Sequence, residues 1–363
     1  MNVDLQRLRL ARTEGVGPVA YRRLLARFGD PAAAIEALPR LAAAGGRAGP
    51  PATPTASQAA READFVARLG GQLLFIDTPG YPEALAATEG APAVLSVLGD
   101  PACLSARAVA VVGSRNASAN GRRIAETIAA ELAEAGLVVV SGLARGIDSA
   151  AHQGALRGGR TVACIAGGID VVYPRENAAL QRAIAERGCV VAEAPPGAEP
   201  LARHFPRRNR VIAGLSLGVL VVEAALRSGS LITARLAGEF GRELFAVPGS
   251  PLDERARGTN ALIREGAHLT ETAADVLALL PPAWTPAEPA RGLFEPRSAP
   301  PEPPERPAQE HAAVLTLLSA APTDVDDLVR RCHLPAPAVL SVLLDLEIAG
   351  RIENLPGGRV ALL

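Results

Sequence analysis

The sequence predicts an α/β protein: a largely parallel sheet with helices on both faces, preceded by a helical segment and followed by a small unit of three helices and a β-hairpin. Apolar, β-branched runs at Val109–Val112, Leu137–Ser141, Thr161–Ala166, Val190–Glu193, Gly218–Glu223 and Glu243–Val247 alternate with helical patterns, as a sheet buried on both faces requires. The first run stops at Gly113-Ser-Arg115, and a helical pattern follows from about Gly121 to Ala135, the strand–turn–helix that opens a βαβ unit. A stretch dominated by Pro, Ala, Glu and Arg, 281–307, separates this region from the C-terminal unit and reads as a linker.

A chain of 363 residues that is 48% hydrophobic and 21% charged predicts two or three domains with sizeable cores. The expected boundaries are 1–68 for the helical segment, 69–280 for the sheet domain, 281–307 for the linker and 308–363 for the C-terminal unit. No apolar run reaches the roughly 18 residues of a membrane span, so no membrane partner is expected. The first residues, Met-Asn-Val-Asp-Leu-Gln-Arg, lack the apolar core of a signal peptide, and a cytoplasmic protein is the expectation. Cys103, Cys164, Cys189 and Cys332 form no Cys-x-x-Cys pair, and Cys164 and Cys189 fall in strands, so they read as buried thiols. The five His residues have no metal-ligand spacing. Neither a metal nor a cofactor is expected.

The N-terminal segment contains Glu14-Gly-Val-Gly-Pro18 before a helical pattern. This is either a helix-hairpin-helix, whose hairpin N–H groups touch a phosphate without reading bases, or a glycine turn that packs two helices. Gln72–Ile76 and Ala93–Leu98 read as strands extending one edge of the main sheet. In the C-terminal unit, Ala312–Ala320, Val325–Cys332 and Ala336–Ala349 read as helices and Ile352–Leu363 as a hairpin around Pro356-Gly-Gly358. That is a winged-helix pattern. Such units often bind duplex DNA, but this one is not basic, and contact with protein or plain packing suits it equally.

The net charge is −1, yet Arg107 to Ser250 holds 17 Arg against 12 acidic residues. There is no lysine, so all 37 basic residues are Arg; genomic codon usage accounts for their number, and their placement carries the information. Ligands of parallel sheets sit beyond the carboxyl ends of the strands. Arg115, Arg145, Arg175, Arg207, Arg208 and Arg210 all follow such ends, mixed with Gly and Ser, and so define one rim suited to a polyanion. Tyr173 and Phe205 are the aromatic candidates on it.

The rim's chemistry narrows by exclusion. The turn Gly113-Ser-Arg-Asn-Ala-Ser118 lacks Gly-x-Gly-x-x-Gly, and Ser141 stands where a dinucleotide site has its ribose-binding acid. A phosphate-loop NTPase lacks its lysine. A nucleotide-monophosphate phosphoribohydrolase stays as the alternative, although Ala166-Gly-Gly-Ile-Asp170 and Ala225-Leu-Arg-Ser-Gly-Ser230 do not keep its Pro-Gly-Gly-x-Gly-Thr-x-x-Glu spacing. Glu193 and Glu223 read as structural acids bonded to backbone N–H groups. Asp148 and His152 share a helix face, with Asp148 expected to cap the helix.

Gly113-Ser-Arg115, Ser141-Gly-Leu-Ala-Arg-Gly-Ile-Asp148, Tyr173-Pro-Arg-Glu-Asn177, Phe205-Pro-Arg-Arg-Asn-Arg-Val-Ile-Ala-Gly-Leu-Ser216, Ser228-Gly-Ser-Leu-Ile-Thr-Ala234 and Val247-Pro-Gly249 with Gly258-Thr-Asn260 resemble, in order, the bacterial DNA-processing protein A (DprA/Smf) family over roughly residues 70–280. The resemblance implies an extended Rossmann-like domain, and a binder with no catalytic residues. Such a protein protects incoming single-stranded DNA and loads the RecA recombinase onto it in natural transformation, as a homodimer formed through that domain. The DNA-binding residues it implies are Gly113, Ser114, Arg115, Arg145, Gly168, Arg175, Asn177, Phe205, Arg207, Arg208, Asn209 and Arg210. For Asn209 and Arg210, positioning the pocket and touching DNA both stay open. A basic, Gly-rich rim tracks a phosphate backbone whatever the sequence, so phosphate contact is expected to outweigh stacking.

Overall fold

A computed structural model describes residues 4–285, 308–355 and 357–363. The expected linker, 281–307, lies outside them beyond residue 285. The described residues form two compact units, one of 4–61 with those after 307 and one of 62–285.

The chain begins with α1 (Leu5–Ala11), α2 (Pro18–Phe28), α3 (Pro31–Ala44) and α4 (Ala56–Arg68). Asp4 and Asp30 cap α1 and α3 by accepting the N–H groups of Arg7 and Ala33. Pro18 and Pro31 open α2 and α3, where the missing N–H costs nothing. Leu8, Leu10, Tyr21, Leu24 and Leu38 are buried between these helices.

The sheet unit continues with β1 (Gln72–Phe75), α5 (Glu83–Ala86), β2 (Val94–Gly99), β3 (Ala108–Val112), α6 (Ala119–Glu134), β4 (Val138–Ser141), α7 (Ile147–Gly158), β5 (Thr161–Ile165), α8 (Ala178–Arg187), β6 (Cys189–Ala192), α9 (His204–Leu215), β7 (Gly218–Val221), α10 (Ser230–Glu239), β8 (Glu243–Ala246), α11 (Arg257–Arg264), β9 (His268–Leu269) and α12 (Ala273–Leu279). They build a nine-stranded sheet in the order β1-β2-β6-β5-β4-β3-β7-β8-β9. β6 through β9 pair in parallel, and β1 and β2 add antiparallel at the β6 edge. The edge position expected for these two strands is therefore the one observed. β9 is too short for any periodicity to have shown it. Every residue of β3 is buried, and Val109, Val111, Ile128, Leu132, Leu220 and Phe245 centre the core. From β3 the chain adds β4, β5 and β6 on one side and returns to place β7 on the other. The crevice above β3 and β7 is thus the point where strand order reverses, where open sheets bind ligands.

The C-terminal residues form α13 (Ala308–Leu315), β10 (Thr323–Asp324), α14 (Val325–Cys332), α15 (Ala336–Ile348), β11 (Ile352–Leu355) and β12 (Arg359–Leu362). With its three-stranded sheet β10-β12-β11 and a core that includes Val314, Leu328, Val342, Leu346 and Val360, this is a winged helix. Its first helix begins at Ala308, four residues before the expected Ala312, and ends at Leu315 instead of reaching Ala320. The Ser319 carbonyl accepts the Leu362 N–H at 2.9 Å, and that bond draws the chain from helix toward the wing.

Candidate nucleic-acid interface

β3 runs into the Gly113-Ser-Arg turn. The Ser114 hydroxyl accepts the Asn116 N–H at 3.1 Å, and the Ser114 carbonyl accepts the Ile147 N–H at 3.2 Å, which ties the turn to the start of α7. Gly146, with φ of +76°, begins α7 so close that a Cβ there would lie 2.3 Å from that same carbonyl. Only glycine fits both demands. Held this way, the turn leaves Arg115 and Asn116 exposed.

Ser118 then caps α6 by accepting the Gly121 N–H. Glu223, just beyond β7, accepts both the Ser118 N–H at 2.9 Å and the Ser118 hydroxyl at 2.6 Å. The acid considered for hydrolase chemistry is thus engaged at a helix N-terminus, where a negative charge is favourable. Glu193 instead receives Arg210, at 3.1 and 3.2 Å to its two oxygens.

Phe205 and Arg208 stand in the first turns of α9. Arg208 is 6% exposed, and its guanidinium occupies the space above Gly142, where a Cβ would lie 1.2 Å from Nη1. Asp148, also buried, stands 3.7 Å from that nitrogen. Burial raises the Asp148 carboxyl and lowers the Arg208 guanidinium, and their mutual attraction opposes both shifts. Among the described residues, Arg208 Nε has no hydrogen-bond partner, so part of a buried cation is left without its usual bonds. Asp148 is not the cap expected of it. Gly146 holds that position, and Asp148 sits inside the first turn of α7, facing Arg208. Nor does Asp148 pair with His152, which is fully buried and bonds Thr161 Oγ1 through Nδ1 at 2.7 Å. Burial lowers the His152 pKa to about 3.

Above this base the rim becomes aromatic. Arg115 lies over the Phe205 ring at 4.8 Å from the centroid, and Arg208 at 5.8 Å. Tyr173, 49% exposed, meets Phe205 edge-on with centroids 6.0 Å apart. Two cavities open here, of about 590 and 720 Å³, and Arg115, Phe205 and Arg208 line both. The first occupies the crevice at the strand-order reversal and reaches Arg227, Ser228 and the start of α10. The second runs past Tyr173 to Arg145 and Arg175.

The structure sorts the residues singled out from the sequence. Gly113, Ser114, Arg115, Phe205, Arg208 and Asn209 converge on the first cavity, and Arg145 and Arg175 on the second. Arg145 is ion-paired with Glu176. Asn209 Nδ2 donates to the Gly229 carbonyl at 3.3 Å, which holds the loop before α10. The others lie elsewhere. Asn177 is buried, its amide donating to the Leu143 carbonyl at 2.8 Å and to Ser149 Oγ at 2.9 Å. Gly168 is buried, and its N–H donates to the Ala198 carbonyl. Arg210 belongs to Glu193, and Arg207 is exposed on α9 outside either lining. Sequence reasoning missed Arg227 and Asn116. Arg227 directly precedes the Ser228-Gly-Ser block, which was its one available signal.

Residues 72–281 match the family described as DNA recombination-mediator protein A, residues 298–358 its winged-helix domain and residues 2–64 its N-terminal helix-hairpin-helix domain. The Smf protein of Escherichia coli is 41% identical over 80% of this chain and 77% of its own length. The DNA processing protein DprA of Streptococcus pneumoniae is 50% identical over 54% of this chain and 70% of its own. A solved structure of S. pneumoniae DprA superimposes with a TM-score of 0.64 and 36% identity, covering 77% of this chain and 99% of that one. The DNA processing protein A of Helicobacter pylori, whose structure describes a single-stranded DNA binding mode, gives 0.52 and 30%, covering 57% and 94%. The ordered blocks, the sheet with its antiparallel edge and these matches agree: the chain belongs to the DNA-processing protein A (DprA/Smf) family.

Proposed function

We propose that this protein is a non-enzymatic, cytoplasmic single-stranded DNA-binding protein that protects incoming strands and loads the RecA recombinase onto them in natural transformation, acting as a homodimer through its Rossmann-like unit. The observation that carries the DNA reading is the group of Arg115 over Phe205 with Tyr173 edge-on to the ring, between two cavities that end in Arg227 and Arg175. Aromatic faces take bases of any identity, and guanidinium groups on either side take the phosphates between them. Unpaired bases reach such a platform; bases stacked inside a duplex do not. The single-strand binding of the H. pylori relative supports the same reading. The contacts then narrow to the exposed Arg115, Asn116, Tyr173, Arg175 and Arg227 with the half-buried Phe205, and Arg208 adds charge from below.

The test is fluorescence anisotropy with a labelled oligothymidine and a matched duplex. Arg115→Ala is expected to weaken single-strand binding about 10- to 100-fold, the cost of one charge-assisted contact. Equal binding by the variant would remove the site, and a wild-type preference for duplex would remove the function. Recombinase filament growth on protein-coated single strands, with and without the protein, tests loading, and sedimentation tests the dimer.

A further inference from the structure

Two elements outside the sheet unit have the form of nucleic-acid binders: the Gly15-Val-Gly17 hairpin and α15, the third helix of the winged helix. In DNA-reading helix-turn-helix units the corresponding helix enters the major groove. Here α15 carries no basic residue, and residues 308–363 hold seven acidic residues against four Arg. Every residue from Val342 to Ile348 is buried, including Asp345 and Glu347. The core of a winged helix covers one face of this helix, a repeat of three to four residues. Burial of the whole run requires a second cover.

That cover is the N-terminal helices of the same compact unit, since α2 and α3 pack on α15. A Cβ on Gly45 would lie 2.1 Å from the Asp345 carbonyl, one on Gly15 2.9 Å from the Ile348 carbonyl, and one on Gly17 2.9 Å from Glu347 Oε1. Arg27 Nη1 donates to Ser341 Oγ at 3.3 Å. The hairpin glycines thus leave room for the end of α15, and a carboxylate occupies the place beside Gly17 where a phosphate would have to come.

We infer that the winged helix is an internal clamp on the helical domain: α15 and the Gly15–Gly17 hairpin are spent on each other, and neither contacts DNA. The inference rests on the function proposed above, because it assigns all DNA contact to the sheet unit.

The test locks the clamp in the full chain. Arg27→Cys and Ser341→Cys are joined by a short bis-maleimide, in a Cys332→Ser background that removes the one cysteine that is not buried. The locked protein is expected to bind oligothymidine within threefold of the unlocked one. A larger loss would overturn the inference, because opening would then be needed for binding. Hydrogen exchange on the unmodified protein supplies an independent arm. Residues 15–19 and 342–348 are expected to exchange as slowly as the winged-helix core and to be unaffected by oligonucleotide. Fast exchange without DNA, or a change on adding it, would overturn the clamp. A wild type that fails to bind single strands would remove the proposed function and leave the exchange result to judge the clamp.

Discussion

The Arg115 guanidinium lies over the face of Phe205, 4.8 Å from the ring centroid, joining the turn after β3 to the first turn of α9. The contact holds a long cationic side chain that would otherwise be free in solvent, worth about 0.5–1 kcal/mol at an exposed site. It also gives the two residues separable duties. Phe205→Ala is expected to cost about 1–2 kcal/mol of single-strand affinity through lost stacking, with the slope of log K against log salt unchanged. Arg115→Ala should lower the magnitude of that slope by about 0.7, the value for one phosphate contact on a single strand. Salt titrations of both variants measure this, and identical slope changes would refute the division of labour.

Arg227 and Arg145 differ in what they face. Arg227 is exposed in the first cavity, whereas Arg145 is already paired with Glu176. A phosphate gains a new partner at Arg227, but at Arg145 it must displace a carboxylate. Arg227→Ala is therefore expected to weaken binding about 5- to 10-fold, and Arg145→Ala less than about threefold. Anisotropy at one fixed ionic strength decides it, and the reverse order would show that the strand follows the second cavity.

Asp148 compensates a cation that cannot lose its proton. Asp148→Ala leaves the buried Arg208 charge unpaired and is expected to cost about 3–5 kcal/mol, lowering Tm by roughly 10 °C. Asp148→Leu combined with Arg208→Met should restore most of the stability and still bind DNA more weakly than wild type. Thermal melts together with anisotropy test both halves. A double variant no more stable than the single one would mean that the pair is not the source of the loss.

His152 makes the sheet unit acid-sensitive. Its folded pKa is about 3 against about 6.5 unfolded. The unfolded chain therefore takes up a proton as pH falls below about 6.5 and the native state does not. The stability is present above that pH and is lost as pH falls toward 3, to a total on the order of 5 kcal/mol. The Thr161 hydroxyl donates to the Val139 carbonyl, so His152 Nδ1–H donates to Thr161, a bond that an Asn amide can replace. His152→Asn is expected to flatten the stability curve between pH 6 and 4 by up to one proton. Urea melts across that range measure the slope, and an unchanged slope would contradict the assignment.

Much of this molecule was legible in the chain. The central strands fell within one or two residues of their apolar runs, because burial on both faces demands continuous Val, Ile, Leu and Ala. Glu223 could be read as structural because no partner base accompanies it in the sequence. Asp148 could not, because the residue that claims it, Arg208, arrives from α9. The two-residue β9 and the end of α13 escaped because long-range backbone hydrogen bonds, not periodicity, define them.

By itself, the sequence determined the α/β architecture, the strand ends beside which the arginines stand and the glycines around the Gly113–Arg115 turn. Each of these follows from local pattern: apolar period, turn chemistry and strand–helix alternation. Only the tertiary structure decided which arginines are available. Arg208 is taken by Asp148, Arg210 by Glu193 and Arg145 by Glu176, while Arg115 rests on Phe205 and Arg227 stands open. A charge is free or spent according to the carboxylate that folding brings beside it, and a local stretch of sequence does not specify that neighbour.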